Sequence, residues 1–284
     1  MCTRAQKSFH IFQDSNDLKD AGIVKKKQKA RSTLTALALA LSATSAYAIT
    51  DEIQVYTDDI NKPGDFGLEL HVNTTPKGRK TPDYAGDSPP NHGLRFTPEF
   101  SYGINKDWDA GLYLPTVRDA SGNFSAAGVK LRLKWLPLKG DEETGGWYAG
   151  ANMELSSVNK KYSASRLGSE LRIMTGYRAK EWHLAVNPIF GYDLSKGYRR
   201  GGPSFDVATK AVHDVVDGVA LGVEYYSGLG KLAKTLPSYL QENTLYAVMD
   251  WDRKPFAFNF GVGKGLNGAT DKWTVKAIIE VPFK

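Results

Sequence analysis

One cysteine occurs in 284 residues, and it is Cys2. Beyond the N-terminal region there is therefore no thiol to form a disulfide, bind a metal as thiolate or act as a nucleophile. Histidine is scarce as well, with five in the chain. No two of them stand two residues apart on one strand, so no metal site and no cofactor is expected. Long apolar runs are missing: no window of eighteen consecutive apolar residues exists, which excludes a membrane-spanning helix. Nor does the chain carry a real surplus of positive charge. The first 48 residues hold eight Lys and Arg against three Asp, and removing them from totals of 37 and 31 leaves 29 basic and 28 acidic residues. The net +6 thus belongs mostly to the N-terminus, and nucleic acid is not expected as a partner.

Glycine, tyrosine and phenylalanine are plentiful, at 28, 14 and 12 residues, which tilts the chain toward strands and turns. The mean hydropathy of -0.39 would suit a soluble protein. In a transmembrane barrel, however, lipid-facing apolar residues alternate with lumen-facing polar ones, and the average cancels.

Residues Lys25 to Arg31 form a basic segment, Leu34 to Leu41 a short apolar one, and Ala46-Tyr47-Ala48 a small-residue cleavage site. This pattern predicts Sec export with cleavage after Ala48. No cysteine follows the cleavage site, so a lipoprotein is not expected. Because a signal peptide begins near its positive charges, Val24 is the expected initiator, and 1–23 are expected to lie outside the translated chain.

After the leader, twelve segments of roughly ten residues alternate apolar and polar: 66–76, 93–104, 107–116, 125–137, 146–157, 164–177, 181–194, 203–213, 217–228, 243–251, 255–264 and 272–283. Their connections alternate long and short, with Pro76 to His92 and Leu229 to Glu242 among the long ones and Asn105-Lys106 and Asp252-Arg253-Lys254 among the short. Long loops outside and tight turns in the periplasm are the expected asymmetry of a bacterial outer-membrane barrel, with both chain ends in the periplasm. The predicted fold is all-β: a transmembrane antiparallel up-and-down β-barrel of about twelve strands over 66–284, preceded by a periplasmic segment, 49–65.

Parity checks that fold, because a one-residue slip would turn every charge toward lipid. The apolar register sends Leu68, Leu70 and Val72, or Val129, Leu131 and Leu133, outward. The strand charges then point inward. Glu69, Arg95 and Glu99, together with His71, lie on the first two strands, and Lys130, Arg132 and Lys134 form a basic ladder on the fourth. Glu154, Arg166, Glu170 and Arg172 follow on the next two. These are the candidate lumen residues. Trp108, Trp135, Trp147, Trp182 and Trp251, joined by Phe283, fall at periplasmic strand ends with outward parity, as an interfacial aromatic girdle does. A soluble sandwich or lipocalin-like barrel would explain neither that girdle nor the loop lengths.

Asp51-Glu52-Ile53-Gln54-Val55-Tyr56 followed by Gly67-Leu68-Glu69-Leu70-His71, and Gly93 to Ile104 leading to Leu112-Tyr113-Leu114-Pro115, resemble a family of outer-membrane proteins grouped with the meta-pathway of phenol degradation. The resemblance implies passage of aromatic or other small hydrophobic compounds.

No lipid-facing Ser-His pair is readable, so an enzyme is not expected. Gly261-Val262-Gly263-Lys264-Gly265 lacks the spacing and the following helix of a phosphate loop. The basic ladder predicts a modest preference for anionic solutes such as aromatic carboxylates; alternatively, the same charges pair across a narrow lumen and hold it together. The expected protein is a monomeric channel or facilitator for small organic solutes, partnered by outer-membrane lipid and, during insertion, by the barrel assembly machinery. A non-conducting structural barrel and a lipid-modifying enzyme are the alternatives.

Overall fold

Period-two alternation of β-branched, aromatic and polar residues produces strands that each bury one side only, and such strands close on one another. A computed structural model describes residues 52–141 and 144–281. The leader with its expected cleavage site, and Phe283 at the C-terminal end, lie outside the described residues.

The strands are β1 (Phe66–Lys77), β2 (Leu94–Asn105), β3 (Trp108–Tyr113), β4 (Thr116–Arg118), β5 (Phe124–Ala126), β6 (Gly128–Leu138), β7 (Gly146–Val158) and β8 (Leu167–Arg178). After these come β9 (Trp182–Asp193), β10 (Ser204–Val216), β11 (Val219–Lys231), β12 (Lys234–Thr235), β13 (Glu242–Arg253), β14 (Phe256–Gly265) and β15 (Trp273–Val281). They form one closed antiparallel barrel of twelve staves. Closure comes from β1, which pairs with β15 from Leu68↔Val281 to Thr74↔Val275 and with β2 on its other side.

Two staves are broken where the alternation predicted continuous strands. Leu114-Pro115 separates β3 from β4, and Ala127 separates β5 from β6. Proline has no N–H for the ladder, and the carbonyl of Pro115 instead accepts from Ala127 N across the gap. The sixth stave starts at Leu167 rather than 164, and the eighth runs on to Val216. That extension puts His213 inside β10, where it packs edge-on against Trp182 with ring centroids 4.8 Å apart.

The wall is inside out relative to a soluble protein. On β6, Leu131 is 57% exposed, whereas Lys130 and Arg132 beside it are each 5% exposed. At one rim Trp108 stacks on Trp135 at 5.7 Å, Trp251 stacks on Phe258 at 5.7 Å, and Trp147 meets Tyr177 edge-on at 5.1 Å. An apolar belt edged by such rings matches a bilayer's hydrocarbon and headgroup levels. Among the described residues no helix is long and apolar enough to cross a membrane.

The long connection 78–93 lies over the opposite mouth. Ser88 N donates to the Lys161 carbonyl, 2.9 Å away in the connection between β7 and β8, and Arg79 N donates to Asp271 Oδ1 at 2.8 Å. Inside the loop, the Arg79 guanidinium holds both Asp83 and Asp87.

Candidate functional site

The segment expected below the barrel is inside it. Residues 52–60 run through the lumen, and Gly64 N then bonds to the Gly103 carbonyl near the C-terminal end of β2, from which the chain turns into β1. The turn passes so close to the wall that a Cβ on Gly103 would collide with the Lys62 carbonyl. Glycine at that strand position is what admits it.

An apolar surface inside the barrel explains the insertion. Ile53 packs against Val212, Ala220, Tyr246 and Val248, and Val55 against Tyr148, Ala185, Ile189 and Ala208. Tyr56 covers Leu136 and Met174. These wall residues have inward parity, and water would otherwise meet them. Each of Ile53 and Val55 gains about 1.5–3 kcal/mol by leaving water, an upper estimate.

Polar contacts fix the segment in depth. Tyr56 N donates to Asn187 Oδ1 at 2.7 Å, and Asn187 Nδ2 donates to the Tyr56 carbonyl at 3.0 Å. The Tyr56 and Tyr113 hydroxyls lie 2.7 Å apart. Arg172 reaches the Gln54 carbonyl at 2.9 Å, with its guanidinium over the Tyr56 ring, and Lys276 Nζ donates to the Ile53 carbonyl at 2.9 Å. At the tryptophan rim Asp58 accepts from Arg178 at 2.6 Å and lies 3.4 Å from His183. Burial pushes the Asp58 carboxyl up, but the hydrogen bonds from His183 and Arg178 outweigh it and hold the group well below the ordinary carboxylate range.

Most of the charged residues expected in the lumen have a partner of opposite charge. Lys130 lies 3.0 Å from Glu154 and 3.6 Å from Glu52, and Arg132 is 2.9 Å from both Glu99 and Asp109. Lys134 Nζ donates to the Asp59 carbonyl at 3.3 Å, and Arg172 holds Glu170 at 2.9 Å. His71 Nε2 stands 3.1 Å from Glu99, and Arg95 lies opposite Asn73 on the inward side. Glu69 faces the interior opposite Glu99. Arg166 departs from expectation: it precedes β8, is exposed, and lies in the connection between β7 and β8, where its carbonyl accepts from Val158 N. Its inward parity had no strand to act on.

On one side of the inserted segment, toward the tryptophan rim, a cavity of about 710 Å³ remains. Asp59, Glu69, Asp214, Asp217, Asp252 and Glu280 line it, and among the described residues none of these has an ion pair with a lysine or arginine. Of its cations, Arg132, Arg178 and Lys210 are held by Glu99, Asp58 and Asp250, which leaves Lys134, bonded to the Asp59 carbonyl, to face those six carboxylates. The vestibule therefore carries an excess of negative charge.

The barrel is similar to solved outer-membrane channels. An outer membrane channel from Pseudomonas putida F1 superposes with a TM-score of 0.54 at 11% identity, over 82% of this chain and all of that one. A KdgM porin superposes with a TM-score of 0.50 at 8% identity, over 77% of this chain and 99% of that one. At such identities the likeness establishes the fold. No family profile and no curated protein matches the chain.

Residues of the stretches 51–56, 67–71, 93–104 and 112–115 converge here. Glu52 and Tyr56 of the inserted segment meet Lys130, Tyr113 and Glu154 of the wall, beside Glu69, His71 and Glu99. Sequence reasoning missed Asn187, Tyr148, Met174 and Val212 as contacts of this segment. The signal was there in part: Leu136, Met174, Val212, Val248 and Ile278 are apolar at inward parity, and such a strip calls for something to cover it.

Proposed function

We propose that this chain is an outer-membrane channel for passive passage of small organic solutes, closed at rest by its own N-terminal segment. The observation that carries the reading is residues 52–60 threaded through a barrel whose strand ladder closes without them. Because every stave already pairs with two neighbours, withdrawing the segment costs the wall no strand hydrogen bonds. Withdrawal breaks only lumenal ion pairs and hydrogen bonds and uncovers a small apolar strip, and all but the last can be exchanged for water. The apolar belt, the tryptophan rim and the Sec-type leader support residence in a bacterial outer membrane. A closed barrel has no free edge to pair with another copy, which supports a monomer. The chemistry of the lumen calls for no catalytic step.

Solute class follows from two features. Tyr56, Tyr113, Tyr148, Tyr226 and Tyr246 present rings to the interior, which suits the aromatic compounds that the resemblance implies. Charge argues against aromatic carboxylates, since Lys130 and Arg132 are neutralised and the vestibule has spare carboxylates. Neutral or cationic aromatics are the solutes this interior favours.

The filled lumen and the loop across the mouth also favour a second reading, a structural barrel that never conducts. Planar-bilayer recording of the refolded chain from Ile49 separates the two. Discrete conductance steps, more frequent when Asn187 is replaced by alanine, are the expected result. A folded barrel silent in both forms would overturn the channel and leave the structural reading.

A further inference from the structure

Three glutamates stand in a row across neighbouring strands, with Glu280 directly opposite Glu69 and Glu69 directly opposite Glu99. Like charges facing each other across a sheet are destabilising. Arg132 compensates Glu99, but neither Glu69 nor Glu280 has a lysine or arginine partner among the described residues. His71 follows Glu69 on the same face, is fully buried, and turns Nε2 toward Glu69 at 3.8 Å and Glu99 at 3.1 Å. Its Nδ1 has no hydrogen-bond partner. One ligand atom from each of Glu69, His71 and Glu99 falls within 4.8 Å of the others, close enough to share one ion.

The inserted segment adds a fourth oxygen. Gln54 Nε2 lies 3.5 Å from Glu69 Oε2, while Gln54 Oε1 is buried and accepts no hydrogen bond. Half a turn of that amide exchanges the two atoms and directs the oxygen at the cluster.

The geometry points to a divalent transition-metal site built by His71 Nε2 and the carboxylates of Glu69 and Glu99 on the wall, and completed by Gln54 of the inserted segment. One imidazole nitrogen with carboxylate and amide oxygens is a donor set that suits zinc or copper(II). Arg132 holds Glu99 through Oε1, leaving Oε2, the atom nearest His71, for the ion. A charged group that orients a ligating carboxylate from behind is the usual outer-shell arrangement. The cavity toward the tryptophan rim touches Glu69 and Gln54, so an ion can enter from there. Because the ligands come from both the wall and the inserted segment, the metal would staple that segment in place. This locking role rests on the channel reading; the site itself does not.

The test is calorimetric titration of Zn²⁺ into the full mature chain, refolded in detergent and checked by its heat-modifiable gel migration. Saturable binding of about one ion per chain is expected. His71→Ala should abolish it, and Glu69→Gln and Gln54→Ala should each weaken it roughly tenfold or more. His213→Ala, remote from the cluster, should leave it unchanged. Cu²⁺ bound to the same protein should show one imidazole nitrogen in its electron paramagnetic resonance spectrum, lost in His71→Ala and retained in Glu69→Gln. That spectroscopic readout keeps the assignment testable if one variant folds poorly. No saturable binding, or binding that survives both His71→Ala and Glu69→Gln, would overturn the site. For the lock, Zn²⁺ should slow modification of a cysteine placed at Val55; unchanged modification despite binding would overturn the lock while the site stands. A silent barrel that still binds zinc would sink the channel reading alone.

Discussion

Asn187 treats Tyr56 as a neighbouring strand would: its side-chain amide accepts from the Tyr56 N–H at 2.7 Å and donates to the Tyr56 carbonyl at 3.0 Å. One wall residue thereby satisfies both backbone groups of a buried position in the inserted segment. Asn187→Ala leaves both unpaired, at about 1–3 kcal/mol each, so the population with the segment displaced should rise at least about tenfold. The barrel should still fold, because the ladder of β9 with its neighbours uses backbone groups only. A cysteine placed at Tyr56 in the chain from Ile49 reports the change by its rate of modification, since the only native cysteine is Cys2. Equal rates in the two backgrounds would show that Asn187 does not hold the segment.

Gly103 controls the exit. Its missing side chain leaves room for the Lys62 carbonyl, and Gly103 also exchanges backbone hydrogen bonds with Gly64 and Asp65. Gly103→Val should push the exit turn off the wall and raise channel opening without lowering the yield of folded barrel. An unchanged opening frequency would mean that the turn adapts and the contact is incidental.

Acid should release the rim anchor, but only at low pH. Asp58 is faced by Arg178 from β8, His183 from β9 and Tyr148 from β7, and by Asp59 along the chain. Its carboxyl is held below the ordinary range, so it contributes fully at pH above the unperturbed value of about 3.9. That contribution fades as pH falls through the lowered value. Conductance should therefore stay low from neutrality to about pH 4 and rise below it, whereas Asp58→Asn should be more open throughout and lose most of that rise. Opening that begins near pH 6 would point to a different titrating group.

How much of this was legible beforehand depends on what kind of contact is involved. Parity and loop length expose the wall, because lipid on one side forces an alternation that any single strand displays; Leu131 between Lys130 and Arg132 is enough to orient β6. Pairing across staves is less legible. Arg132 meets Glu99 and Asp109 only once β3 lies between β2 and β6. A pair of histidines two residues apart on one strand would be legible in the sequence, and none occurs. His71 instead has a carboxylate two residues back on its own strand and another across the sheet. Least legible was the segment from Glu52 to Asp65, which has no strand period, and whose place is set by inward apolar residues on staves far from it in sequence.

Ion selectivity tests the reading of the vestibule. The ladder Lys130, Arg132, Lys134 looks anion-attracting on its own strand, but Glu154 and Glu99 neutralise its first two members. Among the described residues, carboxylates without a lysine or arginine partner remain at Glu69, Glu280, Asp214, Asp217 and Asp252. Fixed charge of one sign in a confined water-filled mouth enriches ions of the other sign. Reversal potentials in a salt gradient should therefore indicate cation preference in open events of Asn187→Ala. Glu69→Gln combined with Glu280→Gln should reduce that preference, and Lys134→Gln should increase it slightly. Anion preference in the parent protein would mean that displacing the inserted segment frees Lys130 and Arg172 from the contacts they make with Glu52 and Gln54, and the solute class would then return to aromatic carboxylates.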